Sequence, residues 1–142
     1  MQTGPLSPNP LSLDTLRPEL RSAIEAAQAR KAAGVVVLDL SGLGAFTGAF
    51  VICTGFSQRQ VQAICDAVGE SLDRAGIRLL HREGYQSAEW ILLDYGRFVV
   101  HIFNERARLF YDIERLWRQA PRLEIPDAPL SRGREEPGAA SA

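Results

Sequence analysis

Residues 89 to 103, EWILLDYGRFVVHIF, leave the chain few choices. Two apolar runs, WILLD (90–94) and FVVHIF (98–103), flank DYGR, and Gly96 can take the positive φ that a tight hairpin requires. Two further runs, VVVLDL (35–40) and FVICT (50–54), are apolar at nearly every position. Strands of that kind are buried on both faces, which calls for helices above and below a sheet. The remaining pattern supplies them.

A first helix is expected over about 18–33. Pro18 sits in its first turn, Leu20, Ile24 and Ala27 form its stripe, and Gly34 stops it. Ser57 with Gln60 is a capping-box pattern ahead of a second helix, whose buried face is Val61, Ile64, Cys65, Val68 and Leu72. IRLL (77–80) reads as a third strand, and Asn104 caps a last helix over about 105–119 carrying Leu109, Phe110, Ile113, Leu116 and Trp117. The order α-β-β-α-β-β-β-α predicts an α/β fold. Its mixed five-stranded sheet has flanking helices, with a parallel portion early and a hairpin late. Residues 1–15 are expected to be a flexible segment, 16–121 a single domain, and 122–142 a disordered tail.

The chain of 142 residues has a formal net charge of -1 and a sequence pI of about 6.1. With no global basic field, DNA or bare RNA is a poor partner. No apolar run is long enough to cross a bilayer, and the first residues lack the pattern of a secretory signal. Cys53 and Cys65 form no CxxC pair and read as reduced thiols of a cytoplasmic protein. No metal or other cofactor is called for.

Candidate chemistry is sparse. Gly42, Gly44 and Gly48 give GxGxxxG leading into a strand, where a dinucleotide fingerprint needs GxGxxG leading into a helix. TGFS (54–57) before a helix resembles an anion-binding turn, and a nucleotidyltransferase-type enzyme using Ser57 and dispersed carboxylates is the alternative reading. Against it, no Asp-x-Asp falls on a strand, Asp39 and Asp94 stand alone, and helix capping accounts for Ser57. His81 and His101 are the acid–base candidates, with His101 inside an apolar strand. Strand alternation puts Trp90, Leu92 and Asp94 on one face and Ile91, Leu93 and Tyr95 on the other. Asp94 can accept backbone N–H groups at the turn, and Trp90 is open to two roles, core packing or docking anchor.

The blocks KAAGVVVLDLSGLGAFTGAFVICTGFSQRQVQAI and EGYQSAEWILLDYGRFVVHIFNERARLFYDIERLW resemble the ribosomal silencing factor family, also called Iojap-related or RsfS proteins. The likeness spans about Leu20 to Pro121. It is densest at Glu83, Gly84, Tyr85, Trp90, Leu92, Asp94, Tyr95, Gly96, Tyr111, Glu114, Leu116 and Trp117. The resemblance implies a nucleotidyltransferase-like fold without catalytic carboxylates, and no enzyme activity. It further implies docking on the large ribosomal subunit through ribosomal protein uL14, which blocks the small subunit and represses translation when nutrients fall. A homodimer when free is a further implication. Tyr85, Trp90, Leu92, Asp94, Tyr95 and Tyr111 become the partner-binding residues. Gly48 and Ala49 depart from the family pattern, which commonly has Asp-Tyr there.

Overall fold

The computed structural model describes residues 11–127. Among them, six strands form one mixed sheet in the order β3-β4-β5-β2-β1-β6. The strands are β1 (Ala33–Asp39), β2 (Ala49–Gly55), β3 (His81–Glu83), β4 (Trp90–Asp94), β5 (Val99–Asn104) and β6 (Arg122–Glu124). The helices are α1 (Pro18–Ala29), α2 (Gln58–Arg74), α3 (Glu105–Tyr111) and α4 (Ile113–Leu116). A 3-10 turn, Leu13–Thr15, precedes α1.

Several expectations change in register or partner. The early strands are not parallel: β1 and β2 pair antiparallel, because the 41–48 connection is a loop with no crossover helix. The single parallel pair is β2 with β5, bridged by α2 and the β3–β4 hairpin. IRLL (77–80) is not a strand. The third strand lies just beyond it, at His81–Glu83, antiparallel to β4. Leu79 and Leu80 are exposed, so apolar composition there did not mean burial. The first helix ends at Ala29, before Lys31 takes a left-handed φ of 64.

The sixth strand falls in the segment expected to be tail. Leu123 pairs with Val37, and Ile125 is buried among the residues under α1 and α2. Its short apolar signal, RLEI, is too brief to read as a strand without the open edge of β1 beside it. The remainder of both expected tails, residues 1–10 and 128–142, lies outside the described residues.

Two cores follow from the pleat. One face of the sheet, with Val35, Val37, Val51, Cys53, Leu93, Val100 and Ile102, packs under α1 and α2. The other, with Val36, Leu38, Phe50, Ile52, Val99 and Phe103, meets Ala107 of α3, the half-buried Ile113 and Trp117 around α4, and the small Ala45 and Ala120 among the described residues. The second face is therefore thinly roofed.

Candidate functional site

The β4–β5 hairpin aims the thinly roofed face. Asp94 Oδ1 accepts the Gly96 N–H at 2.8 Å, fixing the turn at a Gly96 φ of 87. At the other end of β4, Gly84 has a φ of 85, and a Cβ there would collide with the Trp90 carbonyl. Only glycine lets the preceding loop lie flush against Trp90. The Asn104 N–H donates to the Glu89 carbonyl at 2.8 Å, and the Asn104 side chain caps α3 by accepting from Ala107 at 2.7 Å.

From this frame an aromatic chain crosses the sheet. Phe46 lies 6.4 Å from Phe50, and Phe50 meets His101 edge-on at 4.3 Å and Trp117 at 6.1 Å. Trp90 stacks on Phe103 at 5.0 Å and touches Tyr111 at 4.8 Å, which meets Phe110 at 5.0 Å. The Trp90 indole N–H donates to His101 Nδ1 at 3.1 Å, so the indole is held in one orientation. Burial pushes His101 down to about 3, so it remains a neutral acceptor near pH 7.

The helix expected over 105–119 breaks. Asp112 adopts a left-handed conformation, φ 48 and ψ 48, dividing α3 from α4. The expected single buried stripe fails with it. Ile113 and Trp117 pack on the sheet, while Leu109, Phe110 and Leu116 are 77%, 77% and 76% exposed. The broken segment is held firmly nonetheless. Arg108 bonds Glu114 through Nε at 2.9 Å, and its Nη1 donates to the Gly34 carbonyl at 2.7 Å and to Thr54 Oγ1 at 2.9 Å. Arg122 of β6 bonds the same Glu114 at 2.8 Å. Burial raises the Glu114 carboxyl, but hydrogen bonds from the two guanidinium groups outweigh it and leave the carboxyl below its ordinary value. Large apolar side chains on a fixed support are the composition of a docking surface.

The six residues singled out from the sequence divide between the two faces. Trp90 and Leu92 are half-buried on the open face, Tyr111 is exposed at its margin, and Asp94 shapes the turn. Tyr95 is buried on the opposite face, stacked on Phe98 at 5.1 Å. Tyr85 also lies on that side, its hydroxyl donating to Asp66 with both carboxylate oxygens at 3.1 Å. Sequence reasoning missed Phe46 and Phe50 and took Leu109, Phe110 and Leu116 as core. The run LFY (109–111) carried the signal. Three consecutive apolar residues on a helix spread over some 200° of its circumference, more than one packed face can bury.

The same geometry limits chemistry. Asp39 accepts the Ser41 N–H at 3.0 Å and hydroxyl at 2.6 Å, as Asp94 accepts Gly96. These carboxylates lie on β1 and β4, three strand spacings or about 14 Å apart, too far to share a two-metal centre. Among the described residues no group of three His, Cys, Asp or Glu side chains is placed to hold a metal ion. Ser57 caps α2, accepting the Gln60 N–H at 3.0 Å. Gln60 reaches past Ser57 to the Phe56 N–H at 2.7 Å and also donates to the Arg30 and Lys31 carbonyls, so the expected box closes one residue early. Burial pushes Cys53 up to about 12 and Cys65 up to about 11, which keeps both as thiols. His81 is exposed and paired with Glu83 at 2.6 Å. No described helix is long and apolar enough to cross a membrane.

A mixed-sheet α/β domain with one sealed face and one open aromatic face is the class that fold and site define. The family model described as "Ribosomal silencing factor during starvation" matches residues 13–142, and the chain belongs to this RsfS family. It is 39% identical over 106 residues to the ribosomal silencing factor RsfS of Halalkalibacterium halodurans, covering 75% of this chain and 91% of that protein. It is 32% identical over 105 residues to the chloroplastic protein Iojap of Zea mays, covering 74% of this chain and 46% of that protein. A crystal structure of a Chromobacterium violaceum protein superposes with a TM-score of 0.70 at 35% identity, covering 76% of this chain and 88% of that one. The family is one of ribosomal silencing factors and not of enzymes, and its names place it in translation regulation at the ribosome.

Proposed function

We propose that this protein docks on the large ribosomal subunit through ribosomal protein uL14, with the open aromatic face as the contact. Seated there it blocks the small subunit and represses translation in the cytoplasm, most strongly under nutrient limitation. The mechanism is steric occupancy on a nucleotidyltransferase-type scaffold without a carboxylate pair, and it needs no cofactor. Trp90 and Leu92 form the centre of the contact, Tyr111 its margin, and Leu109, Phe110 and Leu116 the apolar rim. Asp94 fixes the turn, and Tyr85 and Tyr95 support the hairpin from behind. A homodimer through the same face is the free form.

The observation that carries this reading is the continuous aromatic chain ending in three apolar side chains left about three-quarters exposed. Near-neutral net charge favours a protein partner over bare RNA. Gly48 and Ala49, where the family resemblance implies Asp-Tyr, lie between Phe46 and Phe50 but do not add a side chain to this face. Ala49 is buried under α1 and α2, and the Gly48 N–H is bonded to the Arg97 carbonyl at 3.0 Å.

The test is subunit joining followed by light scattering, with purified subunits and increasing protein. Joining falls in proportion to added protein, and Trp90→Ala, which removes about 2 kcal/mol or more of contact energy, restores it. Undiminished joining with a folded protein overturns the proposal.

A further inference from the structure

His101 lies inside β5 between Val100 and Ile102 and is only 4% exposed, with the Phe50 ring edge-on at 4.3 Å. Its Nδ1 accepts the Trp90 indole N–H at 3.1 Å. Burial keeps the ring neutral, so its one proton is on Nε2. That second N–H is buried and has no hydrogen-bond partner among the described residues. A buried, unsatisfied donor costs free energy, and an apolar side chain of similar volume carries no such cost. Packing therefore gives no reason for an imidazole at this position. What imidazole supplies, and leucine does not, is an acceptor aimed at Trp90.

The strand register turns that acceptor into a guide for the indole. Trp90 stands opposite Phe103 and Leu92 opposite His101, so Trp90 and His101 are diagonal neighbours on the open face. The indole stacks on Phe103 at 5.0 Å and is flanked by Tyr111 at 4.8 Å. Stacking sets the plane of the ring but not its sense. A half-turn about the Cβ–Cγ bond keeps an indole in much the same plane and exchanges its N–H side for its benzo side. The bond to Nδ1 removes that choice. It also consumes the only polar atom of the side chain, so the part of Trp90 left for a partner is apolar.

We propose that His101 is a positioning residue for the docking face: it takes up the Trp90 N–H, sets the indole in one orientation, and leaves an apolar anchor for a partner surface that offers it no acceptor. The inference rests on the docking reading above and extends it from the anchor to the residue that aims it. Aiming the ring before contact spares the complex the cost of ordering it, a several-fold gain in affinity.

The test pairs two readouts on the 142-residue protein. In the ¹⁵N-labelled protein the indole N–H signals of Trp90 and Trp117 are followed, and binding to purified large subunits is measured per folded molecule. His101→Leu shifts the Trp90 signal, speeds exchange of that proton with water and leaves the Trp117 signal nearly in place. The same variant weakens binding about fivefold. His101→Asn, whose side-chain oxygen stands two bonds from Cβ as Nδ1 does, keeps the Trp90 proton protected and binds within about twofold of the unaltered protein. His101→Met is the apolar variant where Leu prevents folding. Four outcomes overturn the proposal: a Trp90 signal unmoved by the apolar variant, undiminished binding once that signal has moved, equal loss in the Leu and Asn variants, or tighter binding by the Leu variant, which would mean that the partner reads the freed N–H. Trp90→Ala, measured alongside, separates the two readings. If it binds as the unaltered protein does, the docking reading falls and the proposal with it; if it binds weakly while His101→Leu does not, the proposal alone falls.

Discussion

The two faces of the sheet are built from similar residues and finished differently. Under α1 and α2, Ile64, Leu72, Ile91 and Val100 are completely buried, and the helices supply an apolar partner for every inward side chain. On the other side the sheet contributes Phe50, Ile52 and Phe103, yet the covering segment is two short helices that turn Leu109, Phe110 and Leu116 outward. Apolar area on the first face is spent on folding. On the second, part of it stays exposed. Mutations should therefore separate into those that change stability alone and those that change binding alone.

The largest effect is expected on the sealed face. Leu72→Ala leaves a cavity in a fully buried site and lowers unfolding free energy by about 2–5 kcal/mol in urea denaturation, while the folded fraction still blocks subunit joining. Equal loss of silencing per folded molecule would break the distinction between the faces. Next is Arg108→Met, which strips Glu114 of one partner and releases the Gly34 carbonyl and the Thr54 hydroxyl. About 3 kcal/mol is lost, and hydrogen exchange should show α3 and α4 opening before the rest.

On the open face, serine at Leu109, Phe110 and Leu116 together should weaken binding to large subunits at least tenfold, while unfolding free energy moves by about 1 kcal/mol or less. The last expected effect is a pH dependence of stability. His101 titrates at about 3 when folded and near its ordinary 6.5 when unfolded. Its contribution is complete above pH 6.5 and is lost as pH falls from there toward 3, because only the unfolded chain takes up the proton. Between pH 7 and 5 this removes about 2 kcal/mol, measured by denaturation at each pH. His101→Gln should flatten that slope. Glu114 acts in the same direction at lower pH: its carboxyl is depressed, so its stabilisation is present above the ordinary carboxylate value and fades as pH falls through the folded one.

Much of this architecture is legible in the residues. WILLD spans β4 as expected, and Asn104 and Ser57 cap the helices they precede. Those signals are local: alternation, a glycine in a turn, a hydroxyl or amide one step before a helix. What could not be read depends on neighbours far along the chain. β6 is a strand because β1 offers an unpaired edge, and β2 lies parallel to β5 because α2 returns the chain across the sheet. The break at Asp112 accompanies the pairing of Glu114 with Arg108 and Arg122, side-chain contacts that apolar periodicity does not report. The proposed docking face was half visible. Trp90, Leu92 and Tyr111 lie on it, whereas Tyr85 and Tyr95 face α2, because residues close in sequence on a hairpin and its loop alternate between opposite sides.

The parallel seam between β2 and β5 has a consequence for the order of assembly. Its partners, Phe50 with Val99 through Gly55 with Asn104, are separated by 49 residues, so closing it carries a larger entropic cost than any hairpin in the sheet. During synthesis the β1–β2 hairpin and α2 can form early, but the aromatic chain joins Phe46 and Phe50 on one side of that seam to Trp90, His101 and Tyr111 on the other. Arg122, still later in the chain, then fastens α4. The aromatic face is therefore complete only after β5 and α3 have been made, and it gains the Arg122 contact to Glu114 last. A nascent chain thus carries Phe46 and Phe50 without their aromatic partners until β5 and α3 have followed.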